Sequence, residues 1–144
     1  MIIHQASCVA IGGRAILIEG RPGSGKSSLA LALIDRGALL VGDDGVTLEA
    51  SSGGSGPHLW ASPPPNIAGK IEIRNVGIAE IPTTAAPVAL LLRLDEDAPR
   101  HLEAAEQATI AGMKLPLVRM WPGSPVLHLR AEWALRLHGL TIPA

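Results

Sequence analysis

The chain has 144 residues, of which 47% are hydrophobic, so it can bury the core of one domain and is too short for two ordinary ones. Twelve Lys and Arg against thirteen Asp and Glu give a formal net charge of −1, which provides no general attraction for nucleic acid or an anionic membrane. Phe and Tyr are absent, so the core must be aliphatic. We therefore expect one domain over residues 1–144, with no nucleic-acid partner and no membrane partner.

Cysteine usage and hydropathy indicate a reducing compartment. Cys8 is the single cysteine, so no internal disulfide can form, and no Cys/His spacing matches a zinc site. The longest aliphatic run, residues 87–92, is far below the roughly 20 residues that span a bilayer. We expect a cytoplasmic protein without a secretion signal, in which Cys8 fills the core.

A strand, a glycine-rich loop and a helix follow one another in the first third of the chain. Residues 15–19 read Ala-Ile-Leu-Ile-Glu, which is typical of a buried strand, and residues 28–34 suit a helix that stops at Gly37. Between them, residues 20–27 read Gly-Arg-Pro-Gly-Ser-Gly-Lys-Ser and match the phosphate-binding pattern G-x-x-x-x-G-K-[ST]. This is the order that a nucleotide-binding loop requires.

The residue types of this loop suit a polyphosphate. Its glycines permit positive φ, so backbone N–H groups can point at phosphate oxygens, and the following helix N-terminus adds a favourable dipole. Lys26 can reach the β and γ phosphates, and Ser27 can offer its hydroxyl to Mg²⁺. A Gly/Pro-rich turn with an exposed lysine is the alternative. The predicted nucleotide-binding residues are Gly20, Arg21, Pro22, Gly23, Ser24, Gly25, Lys26 and Ser27.

An acidic corner comes next. Residues 38–41 and 46–48 predict two strands, joined by Gly-Asp-Asp-Gly at 42–45. Neighbouring side chains on a strand face opposite ways, so Asp43 and Asp44 can address one site only where the strand ends or bulges, which the glycines permit. A turn that satisfies its own backbone is the alternative.

The middle of the chain predicts a surface loop and a charged strand. Residues 51–57 are rich in Ser and Gly, which is typical of a loop. In the strand predicted at 70–74, Ile71 and Ile73 lie on one side and Glu72 lies on the other. A solvated strand face is the alternative to a functional role for Glu72.

The last third predicts more strand than helix. We expect strands at 88–94 and 115–120, separated by a helix from about 100 to 111 that ends at Gly112. A final helix at about 125–138 should pack through Leu129, Trp133 and Leu137. This many strands and so few helices do not fit the regular βαβα alternation of a doubly wound protein.

Four segments occur in a distinctive order. They are His4, the loop at 20–27, Arg-Gly-Ala-Leu-Leu-Val-Gly-Asp-Asp at 36–44, and Ile-Ala-Gly-Lys-Ile-Glu-Ile-Arg-Asn-Val-Gly-Ile at 67–78. Together they resemble the catalytic domain of bacterial HPr kinase/phosphorylase. The resemblance implies an α/β fold of the PEP carboxykinase-like P-loop type, with a strand-rich mixed sheet and a P-loop helix. It also implies an ATP-dependent serine kinase acting on HPr or a related phosphocarrier of the bacterial phosphotransferase system, with phosphorolytic dephosphorylation as a further activity.

The resemblance also implies roles for single residues. Asp44 matches the family's proton acceptor, which becomes the proton donor in the reverse direction, and His4 matches its active-site histidine. Arg119 lies in a segment similar to the family's dephosphorylation loop, where it could bind phosphate or be a surface cation. The predicted catalytic residues are His4, Lys26, Asp44 and Arg119. The resemblance gives Ser27 and Glu72 as the Mg²⁺ positions, and Asp43 is predicted as a further metal ligand. The implied cofactors are ATP and Mg²⁺, with pyrophosphate or inorganic phosphate as further ligands.

Longer members of that family carry an N-terminal domain and form hexamers. We expect a short form without that domain, acting as a homo-oligomer for which a hexamer is one option. Two other functions fit the same loop. One is a small-molecule kinase, which would need an arginine-bearing lid. The other is a nucleotide-binding regulatory module without transferase activity, in which Asp44 and Glu72 would point away from the γ-phosphate.

Overall fold

The computed structural model describes residues 1–51, 57–66 and 68–142, and this part of the chain contains eleven strands and two helices. The helices are α1 (Lys26–Asp35) and α2 (Leu127–His138). The strands are β1 (Ile2–His4), β2 (Ser7–Ile11), β3 (Arg14–Glu19), β4 (Leu39–Gly42), β5 (Val46–Ser51), β6 (His58–Ser62), β7 (Lys70–Ile73), β8 (Gly77–Glu80), β9 (Ala86–Leu94), β10 (Glu106–Ile110) and β11 (Met113–Met120).

Strand β9 is the centre of the main sheet. Its C-terminal part lies between β3 and β11 and runs parallel to both, whereas its first residues pair antiparallel with β6. The sheet continues from β3 through β2 to β4 and from β6 through β5 to β1, and β10 pairs with β11. Every residue of β9 except Arg93 is buried, as expected for a strand covered on both faces. The predicted strand-rich mixed sheet is confirmed.

Alternating side chains divide the core between the two faces of this sheet. In β3, Ile16 and Ile18 pack on the side of α1 and α2, whereas Ala15 and Leu17 pack on the side of β5 and β6. Each fully buried aliphatic side chain contributes roughly 1.5–3 kcal/mol. The helices therefore cover one face of the sheet, and strands β5 and β6 cover the other.

Helix α1 ends where the sequence predicts. Gly37 has φ 110, its N–H donates to the Ile34 carbonyl, and the N–H of Ala38 donates to the Leu33 carbonyl. This pair of hydrogen bonds is the Schellman motif, which needs a left-handed residue and therefore favours glycine. Six of the strands, β3, β4, β5, β7, β9 and β11, were also predicted to within a few residues, whereas β1, β2, β6 and β8 were not.

The helix predicted at 100–111 is wrong. Residues 106–110 form β10, which pairs antiparallel with β11, and the two strands are joined by Ala111 and Gly112 with φ 50 and 78. Two successive positive φ values are what a tight hairpin turn requires. Gly112 is thus a hairpin glycine rather than a helix end, because pairing with β11 outweighs the local helical pattern.

Helix α2 forms as predicted but packs through a different face. Its buried residues are Leu127, Ala131, Ala134 and Leu135. The predicted packing residues Trp133 and Leu137 are instead 54% and 69% exposed. The two alanines let the helix approach the sheet closely, and the larger side chains then remain outside. The guanidinium of Arg136 lies 4.5 Å from the centroid of the Trp133 ring.

Residues 52–56 of the predicted loop at 51–57, and Ile67 of the segment at 67–78, lie outside the described residues. Cys8 is fully buried, as expected. Neither helix of the described ranges has the length and apolar character needed to cross a bilayer.

Candidate active site

Three parallel strands end at one edge of the main sheet. The carboxyl ends of β3, β9 and β11 lie side by side there, which is where open α/β sheets place their ligands. A cleft of about 900 Å³ opens at this edge. Its lining residues are Gln5, Glu19, Gly20, Arg21, Pro22, Gly23, Ser24, Arg93, Leu94, Asp95, Glu96, Asp97, Trp121, Pro122 and Gly123.

The glycine loop, residues 20–27, follows β3 directly. Gly23 and Gly25 have φ 80 and 105, so both adopt the left-handed conformation that the motif predicts. The Lys26 ammonium donates to the carbonyls of Gly20 and Arg21 at 2.8 and 3.2 Å. Within the described residues, the buried Ser24 hydroxyl has no hydrogen-bond partner. The Lys26 ammonium and the unsatisfied Ser24 hydroxyl therefore both lie in this loop, at the edge of the sheet.

Asp43 connects three separate elements. Its Oδ1 accepts hydrogen bonds from the hydroxyls of Ser27 at 2.6 Å and Ser7 at 3.1 Å, and its Oδ2 accepts one from the N–H of Glu72 at 3.1 Å. Asp43 is only 7% exposed, so these bonds form largely out of water, where hydrogen bonds to a charged acceptor are strong. The predicted ligand positions Ser27 and Asp43 therefore meet in the structure.

The acidic corner has the geometry that two adjacent aspartates need. Strand β4 ends at Gly42, and its pairing with β2 is bulged next to that end. A Cβ on Gly42 would lie 2.2 Å from the Gly45 carbonyl oxygen, so only glycine fits there. Asp44 has φ 57 and is exposed, whereas Asp43 points inward. One carboxylate is fixed beside the glycine loop and the next is open to an incoming group.

Glu72 reaches this corner through its backbone. It lies on β7, where Ile71 is buried and Glu72 is exposed, as the alternation predicts. Its N–H donates to Asp43 Oδ2, so the backbone of β7 lies next to this corner. The described residues contain no ready-made cluster of three His, Cys, Asp or Glu able to hold a metal. Oxygen ligands from Ser27, Asp43 and Glu72 nevertheless match the preference of Mg²⁺.

His4 lies against a charged residue that the sequence analysis did not single out. Its Nε2 is 2.6 Å from Glu19 Oε2, and Arg93 donates from Nη2 and Nε to Glu19 Oε1 at 3.0 and 3.2 Å. The hydrogen bond to His4, followed by that to Arg93, holds the pKa of Glu19 below its ordinary value despite partial burial. Glu19 and Arg93 are neighbours in the β3–β9 register, and the signal for them was a charge at the end of each apolar strand.

Arg119 is engaged by two carboxylates. It donates to Glu106 at 2.8 Å and to Asp95 at 3.2 Å, and so links β11 to β10 and to the end of β9. It is not among the cleft-lining residues given above. Its predicted phosphate contact stays a prediction.

Comparison with known proteins gives this site a context. Residues 1–86 match the family model described as the HPr Serine kinase C-terminal domain. The chain belongs to this family. The matched range includes His4, the glycine loop, both aspartates and Glu72, and it ends before Arg119.

Relatives in the HPr serine kinase C-terminal domain family are much longer. An HPr kinase/phosphorylase of Streptococcus thermophilus is 34% identical over 125 residues, which cover 78% of this chain and 40% of the relative. One of Brevibacillus brevis is 45% identical over 71 residues, 49% of this chain and 22% of the relative. The chain therefore spans less than half the length of these relatives.

A solved structure extends the likeness to the whole HPr serine kinase C-terminal domain fold. The Hpr(Ser) kinase/phosphatase from Coxiella burnetii superposes with a TM-score of 0.79 at 28% identity, covering 94% of this chain and 89% of that one. Because it covers 94% of this chain, the match extends well past residue 86. The family resemblance inferred from the four sequence segments is confirmed.

Proposed function

We propose that the chain transfers the γ-phosphoryl group of ATP to a serine of HPr or a closely related phosphocarrier. The observation that carries the proposal is the hydrogen bond from Ser27 to Asp43, which joins the glycine loop to the acidic corner. The names of the relatives point to the same substrate, but the chain covers only 40% of the Streptococcus protein. Activity, phosphocarrier and direction of the reaction are therefore proposed for this chain.

The glycine loop and Lys26 would hold the polyphosphate. Backbone N–H groups of the loop would bind phosphate oxygens, as in other loops of this pattern. Pro22 has no N–H, and the N–H of Ser24 donates to the Arg21 carbonyl at 3.0 Å. The Lys26 ammonium, which now donates to the carbonyls of Gly20 and Arg21, would exchange those partners for β and γ oxygens. A phosphate oxygen is the stronger acceptor because it is charged, so the exchange is favourable.

Ser27, Asp43 and Glu72 would hold Mg²⁺. When bound, this ion offsets the charge of the β and γ phosphates. The Ser27 hydroxyl can donate its hydrogen to Asp43 and still turn an oxygen lone pair to the metal, because a hydroxyl is donor and acceptor at once. Asp43 thereby orients Ser27, and the backbone bond from Glu72 brings the third ligand within reach.

Asp44 would accept the proton of the substrate serine. As the serine oxygen forms its bond to the γ-phosphorus, the bond from phosphorus to the β–γ bridging oxygen breaks and ADP leaves. In the reverse direction a protonated Asp44 would return the proton to the serine while inorganic phosphate takes the phosphoryl group, giving pyrophosphate. The exposure of Asp44 suits this role, because the protein substrate must reach it from solvent.

The domain assignment, the cellular compartment and the roles of His4 and Arg119 are also part of this proposal. Residues 1–144 would form one catalytic domain of the PEP carboxykinase-like type, acting in the cytoplasm, with His4 and Arg119 as further participants. We also propose a homo-oligomer. Trp133, Leu137 and Leu140 leave an apolar strip exposed on and just after α2, which a second copy could cover. Sedimentation at several concentrations tests this part independently.

The decisive experiment is phosphate transfer from γ-labelled ATP to purified HPr in the presence of Mg²⁺. We expect label on one serine of HPr, identified by mass spectrometry, and no label on HPr whose target serine is replaced by alanine. Lys26→Met should abolish transfer, whereas Ser28→Ala, a change at an exposed neighbour, should not. Tight ATP binding without transfer would instead support the regulatory-module alternative.

A further inference from the structure

The cleft at the sheet edge lies to one side of the predicted metal position. Its described lining includes residues 20–24 of the glycine loop but not Lys26, Ser27 or Asp43. Strand β3, which leads into the loop, has β2 and β4 on one side and β9 and β11 on the other. The metal ligands lie toward β4, and the cleft lies toward β9 and β11. The two ends of the loop therefore face different surroundings.

This asymmetry orients a bound triphosphate. Lys26 and Ser27 are the groups that meet the β and γ phosphates and Mg²⁺ in loops of this pattern. A triphosphate whose γ end lies at these residues directs its α end away from Asp43, toward the cleft. Whatever is attached to the α-phosphate then enters a space of about 900 Å³, which is large enough for a nucleoside.

The charges around the cleft favour a neutral group over further phosphate. Four carboxylates line it, those of Glu19, Asp95, Glu96 and Asp97, against the two cations Arg21 and Arg93. Beyond the glycine loop, which is proposed to hold the phosphates, these carboxylates repel further phosphate, whereas their oxygens can accept hydrogen bonds from ribose hydroxyls or from a base amino group. A nucleoside fits this surface better than a longer polyphosphate does.

Trp121 is part of the cleft lining. It follows β11 directly and is 50% exposed. Its ring lies against Gly123, where an added Cβ would come within 2.5 Å of the ring, and the preceding residue, Met120, accepts a hydrogen bond from the N–H of Asp95 at 2.9 Å. Backbone at Gly123 therefore packs against part of the ring, and half of the residue remains accessible.

No other aromatic residue is among the described lining of the cleft. The chain contains neither Phe nor Tyr, and the two other tryptophans lie elsewhere, Trp60 on β6 and Trp133 on α2. We propose that the Trp121 indole is the platform on which the nucleobase stacks, so that this chain binds ATP more tightly than an equally charged polyphosphate. The proposal rests on the proposed function only in assuming that the glycine loop holds the phosphates.

The test compares binding of Mg²⁺-ATP with binding of Mg²⁺-tripolyphosphate by calorimetry. Stacking of one base on an aromatic ring corresponds to about 10- to 100-fold in affinity. Trp121→Ala should therefore weaken ATP binding about 10- to 100-fold and change tripolyphosphate binding by less than about twofold. Trp121→Phe should recover much of the loss, and Trp133→Ala, the matched removal of another exposed tryptophan, should change neither.

Fluorescence gives a second readout that does not depend on activity. With Trp60 and Trp133 replaced by Phe, ATP should quench the emission of the remaining Trp121, and tripolyphosphate should not. Equal weakening of both ligands by Trp121→Ala, or no weakening of either, would overturn the platform. If Trp121→Ala raised only the KM for HPr, this would also overturn the platform, because Trp121 would then contact the protein substrate.

The outcomes separate this proposal from the proposed function. If the wild-type chain binds ATP as described but transfers nothing to HPr, the kinase proposal fails and the platform stands. If transfer proceeds and Trp121→Ala leaves ATP affinity unchanged, the platform fails and the kinase proposal stands. If the wild-type chain binds neither ATP nor tripolyphosphate, both are wrong.

Discussion

The hydroxyl of Ser27 donates a hydrogen bond of 2.6 Å to Oδ1 of Asp43, a residue 16 positions later in the chain. This contact joins the first turn of α1 to the corner that follows β4. The other carboxylate oxygen of Asp43 accepts the N–H of Glu72 from β7. The residues expected to bind metal therefore form one connected unit, and their geometry should be sensitive to small changes.

Replacing Ser27 by alanine should weaken Mg²⁺-dependent ATP binding. The change removes a proposed metal ligand and leaves the buried Asp43 without its shortest hydrogen bond. We expect a loss of about 10- to 100-fold in Mg²⁺ affinity of the ATP complex, measured by titrating Mg²⁺ at fixed ATP. Ser28→Ala alters the exposed neighbour and is the control. Equal Mg²⁺ dependence in the two variants would count against Ser27 as a ligand.

The corner after β4 should tolerate alanine at one of its glycines but not at the other. A Cβ on Gly42 would meet the Gly45 carbonyl oxygen at 2.2 Å, whereas a Cβ on Gly45 meets no atom within 4 Å. Gly42→Ala should lower the free energy of unfolding by about 1–3 kcal/mol, since backbone must move to accommodate it. Gly45→Ala should change it by less than about 0.5 kcal/mol. Urea unfolding of both variants provides the measurement, and equal losses would show that the corner is not constrained at Gly42.

Local patterns allowed much of this site to be predicted from the sequence. The glycine loop, the Gly37 helix end and the Asp43–Asp44 corner depend on backbone conformations that glycine permits within a few residues. Where local patterns predicted the wrong structure, contacts between distant segments determined it. Residues 106–110 form a strand because β11 lies beside them, and packing against the sheet buries Leu127, Ala131, Ala134 and Leu135 of α2 rather than Trp133 and Leu137.

The contact between His4 and Glu19 shows a second limit of prediction. These residues lie 15 positions apart on strands that do not pair with each other, and the third partner, Arg93, lies 74 positions from Glu19. Only the β3–β9 register brings Arg93 beside Glu19. The spacing of residues within a single segment cannot predict contacts between the ends of separate strands.

Glu19 should make stability depend on pH in the acid range. Its hydrogen bonds to His4 and Arg93 hold its pKa below the ordinary value of 4.5, so the unfolded chain takes up the proton first as pH falls. The stabilisation is therefore complete above about pH 4.5 and is lost as pH falls through the lower folded pKa. We expect the wild-type chain to exceed Glu19→Gln in free energy of unfolding at pH 6–7, and the difference to shrink toward pH 3. An unchanged difference between pH 7 and pH 3 would contradict this assignment.

Cys8 should be unreactive in the folded chain. It is fully buried, and burial raises the pKa of its thiol, so the thiolate that reacts with disulfide reagents is not formed at pH 8. Labelling should therefore follow unfolding and accelerate with urea. Cys8→Ser places a hydroxyl in an apolar cluster and should cost about 1–3 kcal/mol of stability. Rapid labelling without denaturant would show that β2 is less protected than the structure indicates.

Asp44 allows the most direct test of the proposed chemistry, because it lies beside the Ser27–Asp43 pair without sharing its hydrogen bonds to Ser7, Ser27 and Glu72. The measurement is kcat for phosphorylation of the HPr serine by Asp44→Asn, with Mg²⁺-ATP affinity determined on the same preparation. The account predicts that kcat falls by about 10²- to 10⁴-fold, the usual contribution of a general base, while ATP affinity stays within a few-fold of wild type. Serine phosphorylation at the wild-type rate by Asp44→Asn would contradict it.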